Sequence, residues 1–247
     1  MHTRILADEE CAARTAATLI AKETHAAVSA RGRFVLAVSG GQTPRILMHA
    51  LASEDVPWQS VHAVQVDEPV APAGYQDRNL THLQATLLEA TPIPRDQIHV
   101  MPVEESDLEV GAKQYAATIA GIAGSPFELD LVHLSLGPDG HMPSRVPSDP
   151  VSQVNDADVA LSGVYQGRRR MTLTYPALDR ARKIPWSVTG AGKGLVTGAG
   201  KAPMLARLHR CDQSIPAGMV RRDRAIVVAD RPAAVPVQVP EGWIWTD

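Results

Sequence analysis

Three short stretches of this chain combine residue types that can hold an anion and move a proton beside it. The first is Gly137-Pro138-Asp139-Gly140-His141, which follows the mostly apolar run 129–136, LDLVHLSL. Such a run reads as a buried parallel-type strand, and Gly-Pro-Asp-Gly cannot continue it. His141 is therefore delivered at a tight turn just past the carboxyl end of a strand, where open α/β sheets place their ligands. Imidazole changes charge near neutral pH, so a His held beside Asp139 is a candidate general acid or base. His133, within the strand itself, reads as a half-buried structural residue.

The second stretch is Ser39-Gly40-Gly41-Gln42-Thr43-Pro44, directly after the apolar run FVLAV. It has the order strand, glycine turn, helix start. Two glycines let backbone approach a ligand, Thr43 can cap the helix, and Pro44 suits its first position. Free amides and the positive end of the helix dipole then make a phosphate-sized anion site. The loop is neither Gly-x-Gly-x-x-Gly nor a Walker loop.

The third stretch, Asp67-Glu68-Pro69, ends another buried run, VHAVQV, on the same sheet edge, so its acids can position a water or a hydroxyl. A repeat later in the chain, Val188-Thr189-Gly190-Ala191-Gly192-Lys193 and Val196-Thr197-Gly198-Ala199-Gly200-Lys201, offers a lysine on a strand-end glycine turn as a second anion clamp.

The elements that must carry these turns follow from periodicity and punctuation. Helices are expected over 7–30, 45–51, 80–89 (capped by Asp77-Arg78-Asn79), 105–123, 176–182 and 203–210. Strands are expected over 34–38, 58–66, 98–101, 129–136, 157–161, 170–175, 184–189 and 225–229. The chain is long enough for one large unit, 1–247, with a sizeable core.

Composition narrows the function. Of 247 residues, 45% are hydrophobic and 21% charged, as in an ordinary globular protein. The formal net charge of −3 gives no long-range attraction for nucleic acid, and the basic cluster Arg168–Arg170 lacks interleaved aromatics. An anionic substrate must therefore be small and held by local groups. Two cysteines give no disulfide framework and no paired metal-ligand spacing, which fits a reducing, cytoplasmic setting. The charged N-terminal segment reads as neither a signal peptide nor a membrane span.

With Ser-Gly-Gly-x-Thr-Pro, the Asp-Glu strand end, Gly-x-Asp-Gly-His, the Arg170-Met171-Thr172 strand and Thr-Gly-x-x-Lys in that order, the chain resembles the family of 6-phosphogluconolactonases and glucosamine-6-phosphate deaminases. Asp77-Arg78-Asn79-Leu80-Thr81-His82-Leu83 and Ser214-Ile215-Pro216-Ala217 look more like the lactonase branch. The resemblance implies a three-layer α/β/α fold with a mainly parallel, Rossmann-like sheet. It also implies hydrolysis of 6-phospho-D-glucono-1,5-lactone in the pentose phosphate pathway, without metal or organic cofactor, by a monomer or weak homo-oligomer. Position by position, Ser39, Gly40, Gly41 and Thr43 would form the phosphate loop, with Arg170 and Lys201 or Lys193 completing the clamp. Lys201 is favoured because it begins a helix, while Lys193 keeps the original join to the strand. Asp67, Glu68, Asp139 and His141 would face the sugar.

Two departures from the family pattern bear on activity. Pro69 stands where the family has Arg, removing a cation for which Arg78, through its loop, is the candidate replacement. Met142-Pro143-Ser144-Arg145 stands for Thr-Ala-Ser-Leu, which puts a charge where an apolar residue should pack. Besides the lactonase, the motifs fit a related sugar-phosphate isomerase or deaminase, and a sugar-phosphate binder that has lost turnover.

Overall fold

The computed structural model describes residues 1–190 and 201–234, together with the backbone of 243–245. Its first half runs β1 (His2–Leu6), α1 (Glu9–Arg31), β2 (Phe34–Val38), α2 (Gln42–Leu51), β3 (Val61–Gln65), β4 (Asp67–Pro69), α3 (Asn79–Leu83), β5 (Ile98–His99) and α4 (Leu108–Ala123). The second half runs β6 (Leu131–Val132), β7 (Leu134–Ser135), β8 (Val159–Leu161), β9 (Arg170–Leu173), α5 (Tyr175–Asp179), β10 (Ile184–Val188), α6 (Ala202–His209), β11 (Ala225–Asp230), α7 (Arg231–Ala234) and β12 (Trp243–Trp245).

The expected strand 129–136 is broken in two at His133, but β6 pairs with β2, β7 pairs with β10, and the His133 amide still donates to Ala37 O at 2.9 Å. Parallel strands therefore run in the order β5, β3, β2, β6/β7, β10, β11, β1, β12. Such strands are buried on both faces, which is why they read as unbroken apolar runs. Phe34, Leu36 and Val38 pack with α1, α2 and the α3 region, whereas Val35 and Ala37 pack with α4, α5 and α6. The result is three layers, α/β/α. Three short antiparallel strands, β4, β9 and β8, form a second sheet.

Several boundaries differ from expectation for local reasons. β1 is unannounced in the sequence because it is only five residues long with two exposed polar residues, His2 and Arg4, and β11 and β12 on either side supply the parallel pairing that makes it a strand. Helix α1 starts where the Asp8 carboxylate accepts from Cys11 N (2.7 Å) and stops at Gly32, whose φ of 74° suits a left-handed cap. Thr43 does not cap α2; its hydroxyl meets that of Thr189 at 2.8 Å. Helix α3 is short and widens into a π-helical turn over Gln84–Leu88. No helix among the described residues is long and apolar enough to cross a membrane.

Candidate active site

Loops at the carboxyl ends of β2, β3 and β7, together with Lys201 at the start of α6, converge on a cleft of about 300 Å³. One wall is the loop after β2. Gly41 has a φ of 109°, closed to other residues without strain, and a Cβ on Gly40 would lie 1.9 Å from Asn79 Oδ1. No side chain caps α2, so its first amides and its dipole face the cleft at Gly41, Gln42 and Thr43. Lys201, at the start of α6, lines the same cleft. Burial lowers its affinity for a proton, and Asp230 pulls the other way.

A second wall is the turn after β7. Gly137 N donates to His141 O (2.8 Å), and Gly140, at φ 83°, closes the turn. Gly137 lies against the imidazole so closely that a Cβ there would stand 2.1 Å from ring atoms. Asp139 Oδ1 accepts from the His141 amide (3.0 Å) and sits 2.5 Å from Nδ1. Burial pushes the Asp139 carboxyl up, but the His141 amide and imidazole outweigh it and hold the carboxyl below its ordinary value. An ionised carboxylate only accepts, so in the neutral imidazole Nδ1 carries the proton and the lone pair is on Nε2.

The third wall is built around Asp67. Its Oδ1 accepts from Asn79 Nδ2 (3.0 Å), and its Oδ2 accepts from both Ser144 Oγ and Arg170 Nη1, the latter at 3.4 Å. The Arg170 guanidinium lies 5.9 Å from the Tyr165 ring, and that ring lies 6.0 Å from the His141 ring, tilted by 53°. Tyr165 comes from a tight hairpin whose tip, Gln166-Gly167, has positive φ at both residues, 51° and 78°.

Comparison with known proteins identifies the family to which this fold belongs. Residues 7–228 match the family described as glucosamine-6-phosphate isomerases/6-phosphogluconolactonase. The chain belongs to this family. It is 35% identical over 181 residues to a 6-phosphogluconolactonase of Synechocystis sp., spanning 72% of this chain and 75% of that protein. It is 33% identical over 224 residues to a 6-phosphogluconolactonase of Mycobacterium tuberculosis, spanning 85% and 87%. Its fold matches a crystal structure of 6-phosphogluconolactonase from Thermotoga maritima with a TM-score of 0.78 at 22% identity, over 92% of this chain and 99% of that one.

Within this family frame, the expected site residues divide. His141, Asp67, Gly40, Gly41, Thr43, Arg170 and Lys201 line one cleft. Asp139 stands behind His141 and touches the cleft only through it. Ser39 is buried with its hydroxyl 3.4 Å from His133 Nδ1, away from the lining. Glu68 is 0% exposed and does not face a sugar. Its carboxylate instead accepts from Asn79 N (2.7 Å) and Leu80 N (2.9 Å), capping α3 in place of the expected Asp77-Arg78-Asn79. Burial raises the Glu68 carboxyl, and Gln65, Arg78 and the two amides oppose that rise. Arg78 does not reach the cleft. It is buried, 3.4 Å from Glu68 Oε1 and donating to Ala71 O at 2.7 Å, so it does not replace a cation at position 69. Lys193 lies outside the described residues. His133 is fully buried, and burial pushes its imidazole down to about 3.

Both family departures are accommodated. In the ladder between β4 and β9, Val70 N donates to Arg169 O and Leu173 N to Val66 O. Pro69, opposite Arg170, therefore falls at a non-hydrogen-bonded pair on an edge strand, where its missing N–H breaks nothing. Pro143 and Ser144 form the corner of a turn closed by Met142 and Arg145, and Ser144 takes a φ of 53°. Among the lining residues not expected from the sequence are Asn79, Ser144 and Tyr165. Asn79 was read only as a cap, and the other two depend on contacts far apart in the chain.

Proposed function

We propose that this chain hydrolyses 6-phospho-D-glucono-1,5-lactone to 6-phosphogluconate. The observation that carries the reading is one cleft that joins an uncapped helix N-terminus, with Lys201 beside it, to an imidazole whose Nδ1 is held by Asp139. The substrate's phosphate docks on the Gly40-Gly41-Gln42-Thr43 backbone, with Lys201 and Arg170 completing the clamp. That places the lactone ring toward His141. Nε2 takes a proton from a water as its oxygen adds to the C1 carbonyl. The tetrahedral adduct collapses with cleavage of the bond from C1 to the ring oxygen, and His141 returns the proton to that oxygen. One water is consumed, and a hydroxyl and a carboxylic acid, which ionises, are formed. Asp139 keeps the productive tautomer and favours the imidazolium that forms in passing.

These steps need only proton transfer and charge stabilisation. The substrate is thus a small sugar phosphate. Both cysteines are free, as a reducing, cytoplasmic setting requires.

Product analysis separates this reading from the deaminase branch. Freshly generated lactone should yield the open-chain carboxylate faster than in buffer, while glucosamine 6-phosphate should yield no ammonia. Ammonia release without faster lactone opening would overturn the proposal.

A further inference from the structure

Arg145 is 0% exposed, and among the described residues no carboxylate is within ion-pair distance of it, although Asp67, Asp149 and Asp179 act on its charge from farther off. Its guanidinium donates to Leu173 O, to Thr172 Oγ1 (3.3 Å) and weakly to Pro143 O (3.5 Å), lies 4.6 Å over the Tyr175 ring, and leaves Nε without a partner. Burial lowers its pKa to about 10, so it remains charged at neutral pH. A desolvated cation whose hydrogen bonds all go to neutral acceptors, with carboxylates only at longer range, is destabilising relative to an apolar side chain of similar volume. What it holds in place lies in the cleft.

The turn it belongs to is closed by Met142 N to Arg145 O (3.1 Å) and Arg145 N to Met142 O (2.9 Å), and it keeps Ser144 at a positive φ with its hydroxyl on Asp67 Oδ2. The two closer acceptors of the guanidinium, Leu173 O and Thr172 Oγ1, are on β9, and the third, Pro143 O, is on the turn itself. Thr172 is the register partner of Asp67, and Arg170, two residues earlier on that strand, reaches the same Asp67 oxygen. We propose that Arg145 is a positioning residue: it ties the Met142–Arg145 turn to β9 so that Ser144 and Arg170 meet on one oxygen of Asp67 and fix that wall of the cleft. The inference rests on the lactonase reading.

Arg145→Met, Arg145→Lys, Ser144→Ala and the double variant Arg145→Met/Ser144→Ala test it by lactone hydrolysis and thermal unfolding. Misplacement of a cleft wall by about 1 Å lowers rate by up to about 100-fold. Arg145→Met should therefore lose about 10- to 100-fold in kcat/KM while its Tm stays equal to or above wild type. Arg145→Lys should recover part of the loss. Ser144→Ala should fall in the same direction, and the double variant should be no worse than the poorer single one.

An Arg145→Met protein as active as wild type would overturn the inference, as would activity losses that parallel losses of Tm and multiply in the double variant. If Arg145→Met does not fold, Ser144→Ala still decides, because full activity there removes the purpose of the turn. A wild type with no lactonase activity overturns the underlying reading instead, and is told apart by that control alone.

Discussion

At the residue scale, the proton on His141 is placed by its neighbour. Asp139 Oδ1 takes both the amide and Nδ1 of His141, which a carboxylate does only as an acceptor. Asp139→Asn keeps the size but removes the charge and adds a donor, so the imidazole can present the wrong nitrogen. Steady-state kinetics should show kcat lowered by about 10²- to 10⁴-fold with KM little changed. A variant with wild-type kcat would show that Asp139 does not orient the base. A different histidine contributes to acid stability. His133 is neutral in the fold, down to about 3, against an ordinary value of 6.5. The unfolded chain gains a proton that the folded one does not, so stability is complete above about pH 6.5 and falls as pH drops from there toward 3. Each such group contributes a slope of up to about 1.4 kcal/mol per pH unit. His62 and His99, whose imidazoles meet at 3.1 Å, are also lowered, first by burial, and add to the same trend. Denaturant unfolding from pH 7.5 to 5 should show this decline, and His133→Leu should make it shallower; an unchanged slope in the variant would contradict the assignment.

At the element scale, helix ends decide what binds. Helix α2 begins with no side-chain cap and is open to an anion, whereas α3 begins on the Glu68 carboxylate and is closed. Glu68→Ala removes that cap and leaves Arg78 buried beside a void, so chemical denaturation should show a loss of about 2–5 kcal/mol. Pro69→Ala, at a position that donates no ladder bond, should change stability by less than about 1 kcal/mol. A neutral Glu68→Ala would show that α3 is held by packing alone. This contrast also marks what was legible in the sequence. The strand-turn-helix at 34–44 and the Gly-x-Asp-Gly-His turn are local patterns, so their chemistry could be read from neighbours in the chain. Glu68 and Arg78 were read as site residues because their direction depends on how the β4 strand meets the loop at 79, which no local pattern records. Ser144 and Tyr165 were missed for the same reason: β9 and its hairpin bring them to Asp67 and His141 from distant segments.

At the scale of the molecule, parallel strands all end on one edge, so turns separated by more than a hundred residues share one cleft. Sequence patterning supplied the core strands because doubly buried strands are apolar throughout, and the family resemblance implied the layers; β1 was legible in neither, since its strand character comes from pairing with β11 and β12. Since the proposed steps use only proton transfer and fixed charges, dialysis against EDTA should leave lactone hydrolysis unchanged; activity lost on dialysis and regained with a divalent cation would contradict that chemistry. The account depends most on His141. The direct measurement is acid release from freshly generated 6-phosphogluconolactone, corrected for spontaneous opening, with wild type beside His141→Ala at matched Tm. The prediction is a rate well above background that falls to near background in the variant. An equal rate in both proteins would contradict the assignment of His141 as the base.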